Sequence, residues 1–179
     1  RVSVRLRPPL FKERTNNLAT ICDSKGNISV RDKTFTYPAA VVTGSDQVGA
    51  FNTLAQHLLR QTEQGYSCTL IAYGQTGSGK TYTINGSGPK NPGLLAQAVA
   101  GIFKKAPPET EVYVSLYEIY GPKILDLLNS KNRVSVLEDG NGEVQIFGLT
   151  QTRCTSSEDA HRVLAAGMKA RTSGVTAAN

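Results

Sequence analysis

The chain has 179 residues, 39% hydrophobic and 19% charged, which is one domain at roughly 150 residues per domain, with too much apolar material for a disordered chain. Its 20 Lys and Arg exceed its 14 Asp and Glu by six, a balance that suits an anionic partner, whether a nucleotide, nucleic acid or an acidic filament, and equally an ordinary solvated surface, with no direct sign of nucleic acid in the sequence. No stretch approaches the roughly 18 consecutive apolar residues of a membrane span, and Arg1-Val-Ser-Val-Arg-Leu-Arg lacks the apolar block of a signal peptide, so no membrane partner is expected. Three scattered cysteines, Cys22, Cys68 and Cys154, show no metal spacing and read as reduced thiols. A chain that begins at Arg1 reads as trimmed or as a fragment.

Val2-Ser-Val-Arg-Leu6 alternates apolar and polar, the mark of a strand, and Pro8-Pro9 stops it. Residues 20–42 are short β-rich pieces, a small sheet. Ser45-Asp46 can cap one helix over about residues 46–64, with Val48, Phe51, Leu54 and Leu58 at helical spacing and Gly65 as its stop. Cys68-Thr-Leu-Ile-Ala-Tyr73 is a short, mostly apolar run that predicts a buried strand. A Gly-rich turn follows, then a helix from about Lys80, interrupted by Asn85–Pro92 and resumed over Leu94–Phe103. Glu111–Tyr120 alternates strictly and predicts one long strand, with a short turn of structure over Ile124–Leu128. Val134–Leu137 and Val144–Phe147 flank Asp139-Gly-Asn-Gly142, a hairpin signal. Ser156-Ser-Glu-Asp159 caps a last helix to about Lys169. Strands alternating with helices make the class α/β, with at least part of the sheet parallel.

Gly74-Gln75-Thr76-Gly77-Ser78-Gly79-Lys80-Thr81 fits G-x-x-x-x-G-K-[ST] at every fixed position, between an apolar run and a helix. Its glycines let backbone N–H groups turn inward around phosphate oxygens. Lys80 can reach the β- and γ-phosphates, and the Thr81 hydroxyl can sit on Mg²⁺. The pattern predicts a nucleoside triphosphate site.

The flanks narrow the choice. Tyr66-Ser-Cys-Thr-Leu-Ile-Ala-Tyr-Gly-Gln-Thr-Gly-Ser-Gly-Lys-Thr-Tyr-Thr-Ile84 resembles the kinesin motor domain pattern G-Y-N-x-T-I-x-A-Y-G-Q-T-G-S-G-K-T-x-T-M. Arg5-Leu-Arg-Pro8 resembles R-x-R-P; Leu116-Tyr-Glu-Ile-Tyr120 with Ile124-Leu-Asp-Leu-Leu128 resembles L-E-I-Y-N-E…I-x-D-L-L. Val136-Leu-Glu-Asp139 with Val144-Gln-Ile-Phe-Gly-Leu149 resembles the family's hairpin, and Arg171 with Thr176-Ala-Ala-Asn179 matches R-x-x-x-x-T-x-x-N. The resemblance runs the length of the chain. It departs at Phe35-Thr-Tyr37-Pro38, which lacks an Asp, at Ser67, at Gly93-Leu-Leu-Ala-Gln-Ala98 and at Gly121-Pro122. The phosphate loop itself is untouched.

The resemblance implies a P-loop NTPase of kinesin type, with a mixed central β-sheet flanked by helices and a small β subdomain. It implies ATP or ADP with Mg²⁺ as cofactors, microtubules (tubulin) as partner, and a cytoplasmic, cytoskeletal location. It also implies that residues 1–179 are the nucleotide-binding half of a motor domain. The switch segments, the main filament-binding helix and any coiled coil would follow Asn179, and the fragment alone would be inactive. Arg5, Arg7 and Pro8 resemble the family's adenine-facing patch, with Tyr82 at the stacking position. Lys123 and the loop around residues 138–153 correspond to elements that touch the microtubule, although Glu138, Asp139 and Glu143 make that hairpin tip acidic. His57 and His161 have no ligand-spaced neighbours and read as structural. Glu111 and Glu118 fall on opposite faces of a strand and cannot form a catalytic pair. The expected activity is microtubule-stimulated ATP hydrolysis. The rival is a kinesin-like subunit that holds nucleotide, or none, as a static microtubule attachment, against which the intact Lys80 and Thr81 argue. A small nucleotide kinase leaves the matching flanks unexplained.

Overall fold

The computed structural model describes residues 1–9, 26–30, 33–37, 40–130 and 132–175, with side chains as far as residue 171. The expected strand pieces over residues 20–25, Cys22, and the Thr176–Asn179 motif lie outside the described residues. The chain divides into two units, Arg1–Lys105 and Ala106–Asn179.

In the first unit β1 (Val4–Leu6) lies parallel to β4 (Val41–Thr43), with Arg5 opposite Val42. Between them in sequence, β2 (Asn27–Val30) and β3 (Lys33–Thr36) pair antiparallel as the expected small β element. The expected single helix is two, α1 (Gln47–Leu54) and α2 (Gln56–Glu63). They meet at Ala55, whose φ of −124° and ψ of −23° leave the helical region without a Pro or Gly at that position. Asp46 caps α1, its carboxylate accepting from the N–H groups of Val48 and Gly49 at 3.0 Å each. Two more helices follow, α3 (Lys80–Asn85) and α4 (Leu94–Lys105). Phe51, Ala55 and Leu59 recur every four residues, so they share one stripe; with Ala50 and Leu94 they form the buried core. A Cβ on Gly101 would stand 2.5 Å from Leu59 Cδ2, so α4 approaches α2 closely because that position carries no side chain. Burying Leu59 or Leu94 contributes about 2 kcal/mol each.

Cys68–Tyr73 is not the buried strand that its composition predicts. It joins none of the ladders, and Leu70, Ile71 and Tyr73 are 42%, 79% and 98% exposed. An apolar strand is buried only when neighbours pair with both edges and helices cover both faces, and among the described residues nothing pairs with this one. The described strands therefore form five two-stranded sheets, one parallel and four antiparallel, and not a mixed central sheet.

The second unit is built from hairpins. The long strand expected over Glu111–Tyr120 is broken into β5 (Val112–Val114) and β6 (Tyr117–Tyr120). At the break, the Leu116 carbonyl turns to accept from Leu127 N at 2.9 Å. The segment expected as a short turn is β7 (Lys123–Asp126), antiparallel to β6 across Gly121-Pro122. β8 (Ser135–Glu138) and β9 (Val144–Phe147) form the expected hairpin. Asp139 organises its turn, accepting from Asn141 N and Glu143 N at 2.9 and 3.0 Å. β10 (Thr152–Cys154) returns antiparallel to β5, and α5 (Ser157–Val175) closes the unit. Ser156 caps α5 by accepting from Asp159 N at 3.1 Å, while Asp159 accepts back from Thr155.

Asp126, fully buried, holds this unit together: it accepts from Leu128 N and Thr150 N, each at 2.8 Å. Burial pushes its pKa up, but hydrogen bonds from Thr150, Leu128 and Asn129 outweigh that and hold the carboxyl below its ordinary range.

Candidate phosphate-loop site

The loop of residues 74–79 leads directly into α3. Its turn depends on glycine at three places, since Gly74, Gly77 and Gly79 take φ of 153°, 80° and 98°, where a side chain is strained. Gly79 is also the residue at which α3 begins. The Lys80 ammonium lies back across the loop and donates to the carbonyls of Gly74 and Gln75 at 2.7 and 2.8 Å. Gln75 and Thr76 are exposed on the crest, Ser78 is half-buried, and Thr81 is exposed on the first turn of α3.

The patch expected to face adenine divides in two. Arg5 lies over the Tyr82 ring with its guanidinium carbon 5.4 Å from the centroid, a cation–π arrangement. Arg7 instead donates from Nε to the Gly77 carbonyl at 3.1 Å, steadying the crest of the phosphate loop, and its other arm reaches the Pro8 carbonyl at 3.1 Å. Pro8 is exposed. Burial pushes the Arg5 pKa down, opposed by Tyr82 and Asp46.

A group the sequence does not advertise holds the Arg5–Tyr82 pair. Gln47 is 2% exposed. Its Oε1 accepts from Arg5 at 2.7 Å and its Nε2 donates to the Tyr82 carbonyl at 2.6 Å. The Tyr82 hydroxyl donates to Ser45 O at 3.0 Å and accepts from Asn91 Nδ2 at 2.8 Å. Gln97 of α4 donates to the carbonyls of Gln47 and Pro92 at 3.0 Å each. Glutamine is ordinarily a surface residue, so its place after the Asp46 cap was the only signal.

Beneath the loop a cleft of about 740 Å³ runs between Val4, His57, Ile71, Gly79 and Lys80. His57 Nδ1 has no hydrogen-bond partner there, and burial followed by the Arg1 charge pushes the ring's pKa down. Neither observation gives it a ligand. Among the described residues no three His, Cys, Asp or Glu side chains are grouped to hold a metal. Mg²⁺ fits the Thr81 hydroxyl nonetheless, because this ion keeps several waters and binds largely through substrate phosphates. Lys123, in the second unit, is exposed at the start of β7. Among the described residues no helix is long and apolar enough to cross a membrane.

Left-handed glycines leading into a helix that opens with Lys and Thr are the features of a phosphate loop. The family model of the kinesin motor domain matches residues 5–179. A curated relative, "Kinesin-like protein KIF27" of Mus musculus, is 34% identical across the whole of this chain, which spans 14% of that protein's length. The chain belongs to the kinesin motor domain family, a family of microtubule motors that are generally ATPases binding nucleotide with Mg²⁺.

Proposed function

We propose that residues 1–179 are the nucleotide-binding half of an ATP-driven microtubule motor. The observation that carries the reading is the phosphate loop itself, with its three positive-φ glycines and the Lys80 ammonium lying back across it. On binding, Lys80 exchanges the Gly74 and Gln75 carbonyls for the β- and γ-phosphate oxygens. The loop N–H groups surround the phosphates, and Arg7 keeps the crest in place through Gly77. The Thr81 hydroxyl would help hold Mg²⁺, which would supply charge neutralisation at the phosphates. The base lies against Arg5 and Tyr82, a stack that suits a purine and discriminates loosely. Lys123 faces the acidic tubulin surface. Catalysis in this reading is positioning and electrostatics.

The test is Lys80→Ala in the full-length protein, with nucleotide affinity and microtubule-stimulated ATPase as readouts. Removing the loop's side-chain cation abolishes turnover, by a hundredfold or more on the scale of lost electrostatic stabilisation. Unchanged stimulated turnover overturns the assignment. Microtubule binding without any turnover in the unmutated protein points instead to a static attachment.

A further inference from the structure

We propose that Gln47 is the positioning residue of the base platform: it fixes Arg5 and Tyr82 in one stacked arrangement before nucleotide arrives. The inference rests on the nucleotide-binding reading above and extends it to a residue outside every nucleotide motif of the chain.

The chemistry of the three groups leaves one arrangement. A guanidinium only donates, and the Tyr82 carbonyl only accepts. A side chain that bridges them must offer an acceptor on one side and a donor on the other, and an amide does so. Gln47 turns Oε1 to Arg5 and Nε2 to Tyr82 O, at 2.7 and 2.6 Å. With 2% exposure, it has no water to substitute for either bond. Its own carbonyl is taken by Gln97 of α4, so the bridge is anchored to the helical core and not to a loose surface. Arg5 is therefore held over the Tyr82 ring by the protein's own groups. A long, rotamer-rich side chain ordered in advance costs the incoming base less to engage. The hydrogen bonds of the Gln47 side chain go to Arg5 and to the Tyr82 carbonyl, neither of which belongs to the phosphate loop of residues 74–81, so its effect falls on the base and not on the phosphates.

That separation defines the experiment. Affinities for ATP and for inorganic tripolyphosphate, both with Mg²⁺, are measured by calorimetry on the full-length protein and on Gln47→Leu, which keeps the volume and removes both hydrogen-bonding groups. The expected result is about a tenfold loss for ATP with tripolyphosphate unchanged. Equal losses for both ligands, the mark of a merely structural role, overturn the proposal, as does no loss for either. If the unmutated protein binds neither ligand, the nucleotide reading itself falls, and the two failures are thus distinct. Gln47→Glu covers a poorly folded leucine variant: it still accepts from Arg5 but cannot donate to Tyr82 O, and is expected to lose ATP affinity by a smaller factor with tripolyphosphate again unchanged. Combining Gln47→Leu with Arg5→Met closes a cycle in which Gln47→Leu has little further effect once Arg5 is gone; full additivity overturns the claim that it acts through Arg5.

Discussion

The two units solve the same problem with different materials. In Arg1–Lys105 a stripe of apolar side chains on α1 and α2 meets Leu94 of α4, and the buried polar residue, Gln47, is neutral. In Ala106–Asn179 short strand pairs stand beside the single helix α5, and the buried polar residue among those described is a charged carboxylate that gathers backbone N–H groups. Helices satisfy their own backbone and need only a face to bury. Short strands with tight turns leave amides pointing inward at their ends, and one carboxylate can accept several of them. Aspartate recurs in that role across the second unit, at positions 126, 139 and 159, and each of these carboxyls is held below its ordinary pKa. Thus the first unit rests mainly on buried area, with the Asp46 carboxylate confined to a helix cap, and the second sets a carboxylate in its buried interior.

The largest effect expected is Leu94→Ala, which removes a fully buried side chain and leaves a cavity, at a cost of about 3 kcal/mol. Hydrogen exchange across α4 reads it, and the loss should be the same at neutral and acid pH. Asp126→Asn is next, at about 2 kcal/mol, because the amide keeps one acceptor oxygen and turns its N–H groups toward either the Leu128 or the Thr150 donor. Its folded pKa is depressed, so the carboxylate's contribution is present above the ordinary carboxyl range and lost as pH falls through the lower folded value. The gap between Asp126→Asn and the unmutated protein, followed by amide exchange in β7, should therefore close in acid. A gap that persists undiminished would show that charge is not what matters there. The smallest effect is Glu63→Gln. It breaks the 2.8 Å ion pair with Lys105 between α2 and α4, and both side chains are more than a third exposed. The expected change is under about 0.5 kcal/mol, and a larger one would mean that charge matters in the first unit too.

What the sequence revealed follows from whether the deciding forces are local. The phosphate loop was legible because its backbone accepts only glycine at fixed places, and the Asp139-Gly-Asn-Gly142 turn for the same reason. Asp46 and Ser156 were legible as caps because a short side chain before a helix bonds N–H groups two or three residues on. The break at Ser115-Leu116 was not, because strict alternation carries no sign that a carbonyl will turn aside to Leu127. Cys68–Tyr73 was misjudged since burial belongs to a strand's neighbours and not to its own composition. Within the site, Lys80, Thr81, Arg5 and Tyr82 were named from the sequence, with their roles in nucleotide binding still to be tested. Gln47, Asn91 and Gln97 were invisible, because amides have no obligatory environment and acquire one only when donors and acceptors meet across the fold. The sequence carries no sign of the Arg7 bond to the Gly77 carbonyl, which joins residues seventy positions apart.

The exposed run before the phosphate loop has a consequence for handling the protein. From Tyr66 to Gly79 no residue is charged and none is proline. Runs that combine neutral, β-favouring residues with an open backbone edge are the ones that recruit strands from other molecules, and natural sequences usually interrupt them with a gatekeeper charge. Here the nearest charges are Glu63 and Lys80. Wherever Leu70, Ile71 and Tyr73 stay uncovered, self-association rather than unfolding sets the usable concentration. A lysine at Ile71, the middle of that exposed trio, is the substitution that would raise it.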